Sequence, residues 1–376
     1  MRLAIIGAGV AGLAAARALR QRRPELAITV YEKSRGLGGR AATRRREGFA
    51  FDHGAQYVKT PTPELERLLT SELPSGDLLD IGRPVWTFDG AGAIAAGDPA
   101  QNADPKWTYR DGLNRLGKLL AEGLTVRREV RIGRIRPKTK DQRPKASADA
   151  ALSSVPSAPL RAGVGRRSSV SYELFDADGA PVGEADLILL TPPAPQAAEI
   201  VAACELEKTV RDFLLSNLEG ARYRRCISVA LAYDRRIERP FYALVNNDRA
   251  HPIAWLALEH DKGPGRCPPG HGLLIAQMAP QFSVDHWETR AEDLSPIVAG
   301  HVGALIGQEL LNPLWADVQR WRYALPDSGA DFAALNGTGS GLFFAGDYTA
   351  GQGRVHLAIE SGWRAAAEID RAISLQ

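Results

Sequence analysis

Short apolar runs and amphipathic stretches take turns along this chain, and their order carries most of the fold. Residues 3–6 read Leu-Ala-Ile-Ile, residues 13–19 carry apolar side chains at helical spacing, and residues 28–31 form a second apolar run. That opening predicts strand, helix, strand, the start of a parallel sheet with a crossover helix. Residues 107–123 predict a strand entry and then a helix with Leu113, Leu116 and Leu120 on one face. Asp111 is the expected N-cap and Gly123 the expected stop. Residues 125–135 alternate and predict one strand, with Val126, Val130 and Ile132 on its buried side. The run Leu187-Ile188-Leu189-Leu190 and residues 342–345 predict buried strands, and residues 355–369 a closing helix.

The middle of the chain has another texture. Runs at 227–233, 241–245, 253–258 and 273–278 sit among Pro- and Gly-rich turns, followed by a helical stretch at 294–311 and a strand near 318–323. This predicts an antiparallel sheet backed by a helix. From 137 to 170 the chain is rich in Ser, Ala, Pro, Lys and Arg without sustained periodicity, which predicts a flexible insertion inside a β-hairpin that resumes at 171–175.

The turn after the first strand reads Gly7-Ala8-Gly9-Val10-Ala11-Gly12, and a second cluster reads Gly36-Leu37-Gly38-Gly39-Arg40. A strand turning sharply into a helix aims backbone amides and the positive end of a helix dipole at a diphosphate. Gly7 suits the tight turn, Gly9 the approach of phosphates, and Gly12 close packing of helix on strand. Glu32 closes the second strand, about 20 residues past the last glycine, where an acid accepts adenosine ribose hydroxyls. The second cluster, ending in arginine, points to a flavin that is kept rather than a nicotinamide that visits.

Composition narrows the class. Of 376 residues, 44% are hydrophobic and 24% charged, ordinary for a globular protein, and the length suits two domains. No apolar run approaches the roughly 20 residues of a membrane span. The turn at residue 7 is expected to leave no room for a signal peptide. Cys204, Cys226 and Cys267 are too widely spaced for a disulfide framework or zinc knuckle, so a reducing cytoplasm and no metal are expected. Net charge is only +3, but arginines cluster at 44–46, 166–167, 222–225 and 235–236. These are solvated faces or a reception site for a phosphate-bearing substrate. No nucleic-acid module is present.

The motifs GAGVAG (7–12), YEKSRGLGGR (31–40), FDHGAQY (51–57), YRDGLNRL (109–116), DLILLTPPAPQ (186–196) and FAGDYTAGQGRVHLAIESG (344–362) span nearly the whole chain. In that order they resemble the flavin-dependent amine oxidase superfamily, and within it the renalase branch. The resemblance implies an α/β fold: a Rossmann-type, amine-oxidase-like FAD-binding domain (1–56, 108–192 and 330–376) with a discontinuous antiparallel-sheet substrate domain (57–107 and 193–329). It implies non-covalent FAD, since Asp347-Tyr348-Thr349 stands where covalent relatives carry a cysteine. Its expected contacts are Gly7, Gly9, Val10, Ala11, Gly12, Glu32, Lys33, Gly39 and Arg40 along the adenosine and diphosphate. Val130 would serve the adenine through its backbone. Gly54, Ala55, Gln56 and Tyr57 would run along the isoalloxazine, with Gly346 and Asp347 at the ribityl chain and Val355 opening a helix toward the pyrimidine.

Plainer roles stay open beside these: Asp347 as a turn residue, Gln56 and Tyr57 as interface packing, His53 and His356 as structural histidines rather than catalytic ones. Trp86, Trp107, Tyr242 and Trp255 are candidates to stack on a planar ring or to fill the core. The renalase resemblance implies hydride removal from isomeric dihydro-NAD(P), with dioxygen reoxidising the flavin to give hydrogen peroxide. A true amine oxidase is the alternative, for which a lysine near the flavin is expected; Lys262 is the only one after residue 208. A non-catalytic FAD-binding protein is the third.

Overall fold

The computed structural model describes residues 1–138 and 171–375. Its first layer is a five-stranded parallel sheet in the order Leu342–Phe344, Leu187–Leu190, Arg2–Ile6, Ala27–Glu32, Thr125–Arg128. The strands read as continuous apolar runs because both faces are covered. Leu3, Ile5, Leu187 and Leu189 pack against the helices Val10–Arg22 and Val355–Ser374, while Ala4, Ile6, Ile188 and Leu190 meet the helices Ala194–Ala202 and Lys208–Glu219. The two chain ends thus share one sheet. The helices Val10–Arg22 and Val355–Ser374 touch so closely that a Cβ on Gly362 would run into the carbonyl oxygen of Ala11.

The second layer is a seven-stranded sheet ordered Trp315–Pro326, Tyr223–Tyr233, Gly272–Met278, Ile253–Leu258, Ala243–Asn246, Val85–Phe88, Ile94–Ala95. One face packs on the helix Ala291–Ile306 through Val229, Leu256, Leu274, Val298 and Val302. The other carries Ala230, Tyr242, Leu273 and Ile275 toward Phe49 and Phe51 of the hairpin Thr43–Arg46/Phe49–Asp52. This second face is the seam between the layers.

Several local expectations are corrected. The stretch 125–135 is two strands, because Glu129 takes a left-handed conformation (φ 61°) and sends Ile132–Lys138 into a separate sheet with Ser171–Asp176 and Pro181–Ala185. Ile132 is buried there, while Val126 and Val130 are only partly so. Asp111 is not the cap: Gly112 (φ 108°) turns the chain, and the helix Asn114–Leu120 starts with Leu113 at the cap position. The helix placed at 294–311 ends at Ile306, where Gly307 (φ 143°) breaks it. The substrate sheet is mixed, since Ala243–Asn246 pairs parallel with Val85–Phe88. The strands Ile132–Lys138 and Ser171–Asp176 form the expected antiparallel hairpin, and residues 139–170 of the insertion lie outside the described residues. Among the described residues no helix is long and apolar enough to cross a membrane.

Candidate functional site

The turn at the end of the first strand is built by glycine. Gly7 has φ 105° and donates its N–H to Tyr31 O at 2.8 Å, a conformation side chains resist. Gly9 caps the helix Val10–Arg22 without a side-chain hydrogen bond, no acid occupies the first turn, and a Cβ on Gly9 would meet open space. The amides of the first turn, Val10 and Ala11 among them, are thus left for an anion. The second cluster folds onto the first: Gly38 N donates to Ala8 O at 2.9 Å, and a Cβ on Gly39 would sit 3.2 Å from Gly9 Cα. Glu32 ties both together, one carboxylate oxygen accepting from Ala8 N and the other from Ser34 N, each at 2.8 Å. Val130 N donates to Glu32 O, and Lys33 Nζ reaches Gln196 at 3.3 Å. A cavity of about 110 Å³ lies between Gly7, Glu32, Lys33, Val130 and Gln196.

Further along, Arg40 Nη2 donates to Asp347 Oδ1 at 2.7 Å and Nη1 to Ala324 O at 2.9 Å. Tyr223 Oη donates to the same Asp347 oxygen at 3.3 Å. Burial, then the neighbouring Asp347, pushes the Tyr223 phenol up, so it remains a donor. Tyr223 had no local signal in the sequence. It opens a strand of the second sheet, and only that strand's register against Trp315–Pro326 delivers it here. Gly346 N is held by Ser361 Oγ at 2.8 Å, which fixes the turn leading into Asp347.

Arg40 also anchors the segment 52–57, through Ala55 N donating to Arg40 O at 2.9 Å. A Cβ on Gly54 would run into that same carbonyl. The second sheet holds the segment from the far side. Trp321 Nε1 donates to His53 O at 2.9 Å and Gln277 Nε2 to Gly54 O at 2.6 Å. Gln56 Nε2 folds back onto Asp52 O at 2.7 Å. Tyr57 leans on Trp255, which meets Tyr242, with ring centroids 6.1 and 6.3 Å apart. Four buried polar atoms around this segment, His53 Nδ1, Gln56 Oε1, Tyr242 Oη and Trp255 Nε1, have no protein partner among the described residues. Such atoms are costly unless a bound molecule or water completes them.

The two histidines differ. His53 stacks on Trp321 (5.4 Å between centroids, 14° between planes), and burial followed by Arg44 lowers its pKa to about 4. It is neutral at pH 7. His356 is half-buried in the first turn of the closing helix, its pKa lowered by burial and by Arg354 and Lys59. That helix opens at Val355 with no side-chain cap and no acid in its first turn. Trp86 packs on Phe241 toward the helix side of the second sheet, and Trp107 bonds Thr60, so neither joins Tyr242 and Trp255. The arginine clusters are mostly engaged: Arg44 with Asp317, Arg46 over Trp315, Arg224 with Asp327, Arg225 over Trp287. Arg166 and Arg167 lie outside the described residues. Among the described residues no group of three or more His, Cys, Asp or Glu could hold a metal.

These parts are linked in turn: the amide cradle touches Gly39, Arg40 next to it binds Asp347 and holds Ala55, and the orphaned polar atoms lie around the segment that follows. A family model described as flavin containing amine oxidoreductase matches residues 97–370, and one described as an NAD(P)-binding Rossmann-like domain matches residues 5–71. Similar solved structures include a protein assigned as a protoporphyrinogen oxidase from Exiguobacterium sp. 255-15, 17% identical with a TM-score of 0.72 and 98% of both chains covered. Another is cyclohexylamine oxidase from Brevibacterium oxydans IH-35A, 15% identical with a TM-score of 0.69 and 99% of both covered. Among curated relatives, a 4,4'-diapophytoene desaturase of Staphylococcus aureus is 43% identical over 61 residues, which is 16% of this chain and 12% of the desaturase.

Proposed function

Since the chain belongs to the flavin containing amine oxidoreductase family, we propose that it is an FAD-dependent oxidase acting on a small molecule, with dioxygen as the electron acceptor. The observation that carries this reading is the Arg40–Asp347 pair, which closes the clasp between the glycine cradle and the terminal Gly-Asp motif. FAD, when bound, supplies the hydride acceptor and hands the electrons to dioxygen, giving hydrogen peroxide. The chain's own residues hold the diphosphate (Gly7, Gly9, Gly39, Arg40), orient the adenosine (Glu32, Val130) and wall the ring (Gly54 to Tyr57). The cofactor is held non-covalently. The FAD-binding domain comprises 1–56, 108–192 and 330–376, the substrate domain 57–107 and 193–329, and a reducing cytoplasm suits the three free cysteines.

For the substrate we favour a renalase-like reaction, oxidation of isomeric dihydro-NAD(P) to NAD(P). Such a substrate is already a hydride donor and needs no strong base beside the flavin; His53, its pKa lowered to about 4, is only a weak one. Lys262, the lysine an amine oxidase would be expected to use, is sealed in ion pairs with Asp52 and Glu259 and faces no substrate space. Arg354 acts on both Tyr57 and His356, and Lys59 on His356, which suits a phosphate-bearing molecule. The Tyr57–Trp255–Tyr242 wall favours the second reading, an amine oxidase, because it would equally enclose a neutral amine. Stopped-flow mixing of the FAD-loaded protein with borohydride-derived NADH isomers and with an amine panel separates the readings. Rapid bleaching by the isomers alone is expected. Bleaching by amines gives the second reading, and silence with both makes it a non-catalytic flavoprotein.

A further inference from the structure

Beneath the ring-facing segment lie four charges that no step above uses. Asp52, Glu259, Lys262 and Arg266 have side chains with 0% exposure. Asp52 ends the strand Phe49–Asp52, while the other three come from the loop after Ile253–Leu258 in the second sheet. Two cations face two carboxyl groups, and burial raises the Glu259 pKa against the pull of Lys262 and Arg266. Lys262 Nζ meets Asp52 at 3.0 Å and Glu259 at 2.9 Å; Arg266 Nη1 meets Asp52 at 3.0 Å and Glu259 at 2.6 Å.

Burying such a group gains little stability over apolar packing of the same volume, so its retention asks for another reason. Directionality supplies one. The Arg266 fork spends its second amino group on Thr108 Oγ1 (2.9 Å) and Tyr109 O (2.8 Å), on the strand Trp107–Tyr109. The Asp52 carboxylate also accepts from Thr43 Oγ1 at 2.5 Å and Leu113 N at 2.8 Å. Its N–H goes to Glu259 at 3.1 Å and its C=O takes Gln56 Nε2. Every polar atom of Asp52 is therefore spoken for, by four separate segments. Burial alone would raise its pKa, but Arg266 and Lys262 outweigh that and keep it ionised. The residues that follow it are the ones pinned by Trp321 and Gln277.

We infer that this quartet is a positioning device: it fixes Asp52, and through it the segment 53–57, at the seam between the layers, so that the second sheet sets where the flavin ring is received. The inference rests on the cofactor reading above. Its test is FAD titration, by flavin fluorescence, into full-length protein stripped of flavin, alongside thermal unfolding of the same flavin-free samples. Asp52→Asn and Lys262→Met each leave unbalanced buried charge and are expected to weaken FAD about tenfold. The charge-balanced double variant Asp52→Asn/Lys262→Met is expected to recover most of that loss. Single variants that unfold earlier yet bind FAD like wild type overturn the inference, as does a double variant no better than the weaker single one. If the single variants do not fold, Thr108→Val, which removes one Arg266 contact and no charge, carries the test: about threefold weaker FAD supports the device, and unchanged affinity overturns it. A wild type that takes up no FAD overturns the cofactor reading instead, and the inference falls with it.

Discussion

Arg40 and Asp347 lie 307 positions apart in the chain and meet through a 2.7 Å charge-assisted hydrogen bond. Asp347 is almost fully buried, its only other side-chain donor in the described structure being Tyr223. The pair marks where the second glycine cluster, on the first part of the chain, joins the terminal motif on the last. Removing either partner therefore disturbs both the clasp and its partner.

Arg40→Ala leaves a buried carboxylate short of its cation and, on the proposed reading, removes a guanidinium from the FAD diphosphate. Hydrogen bonds to charged groups are worth about 1.5–3 kcal/mol, which translates to roughly 10- to 100-fold weaker FAD binding. Arg40→Lys restores the charge but not the fork and should recover only part. Titration of flavin-free protein with FAD measures both. An alanine variant that binds as tightly as wild type would remove Arg40 from the site.

Acid should destabilise the protein through His53. Its folded pKa, about 4, lies below the usual 6.5, so the unfolded chain binds the proton more readily. Stability from this group is intact above pH 6.5, falls as pH drops toward 4, and loses about 3 kcal/mol over that window. Asp52 titrates lower and does not share the window. His53→Gln should therefore show a smaller drop in denaturant midpoint between pH 7 and pH 4.5 than wild type does. Equal drops in the two proteins would exclude His53 as a buried neutral group.

Gly362 is the contact between the first and last helices. A methyl there would press on the Ala11 carbonyl, and the helices would have to part. Gly362→Ala is expected to cost about 1–3 kcal/mol, read as a lower midpoint in urea unfolding. Weaker FAD binding should accompany it if, as proposed, the start of this helix at Val355 serves the flavin. An unshifted midpoint would mean the two helices are not packed as described.

Much of the first layer was legible. The runs 3–6, 28–31, 187–190 and 342–344 are strands because both faces of a parallel sheet demand apolar side chains, and that demand is written continuously. Gly7 (φ 105°) and Gly12, where a Cβ would run into the Gly7 carbonyl oxygen, were legible for another reason: no side chain fits. The break at Glu129 and the displaced helix start at Leu113 were not, because a single backbone rotation leaves no periodic trace. Nor was the choice between Trp86 or Trp107 and Tyr242 or Trp255, which turns on the face of a sheet each residue occupies.

Local rules therefore determined the sheet of the nucleotide-type layer, its amide cradle and the residues near it, because spacing and glycine act over a few positions. Tertiary structure alone decided that Tyr223 reaches Asp347, that Lys262 is locked by Asp52 rather than free, and which aromatics stand beside Tyr57. Those outcomes depend on partners more than a hundred residues away, and a side chain carries no record of its distant neighbour until the two layers close.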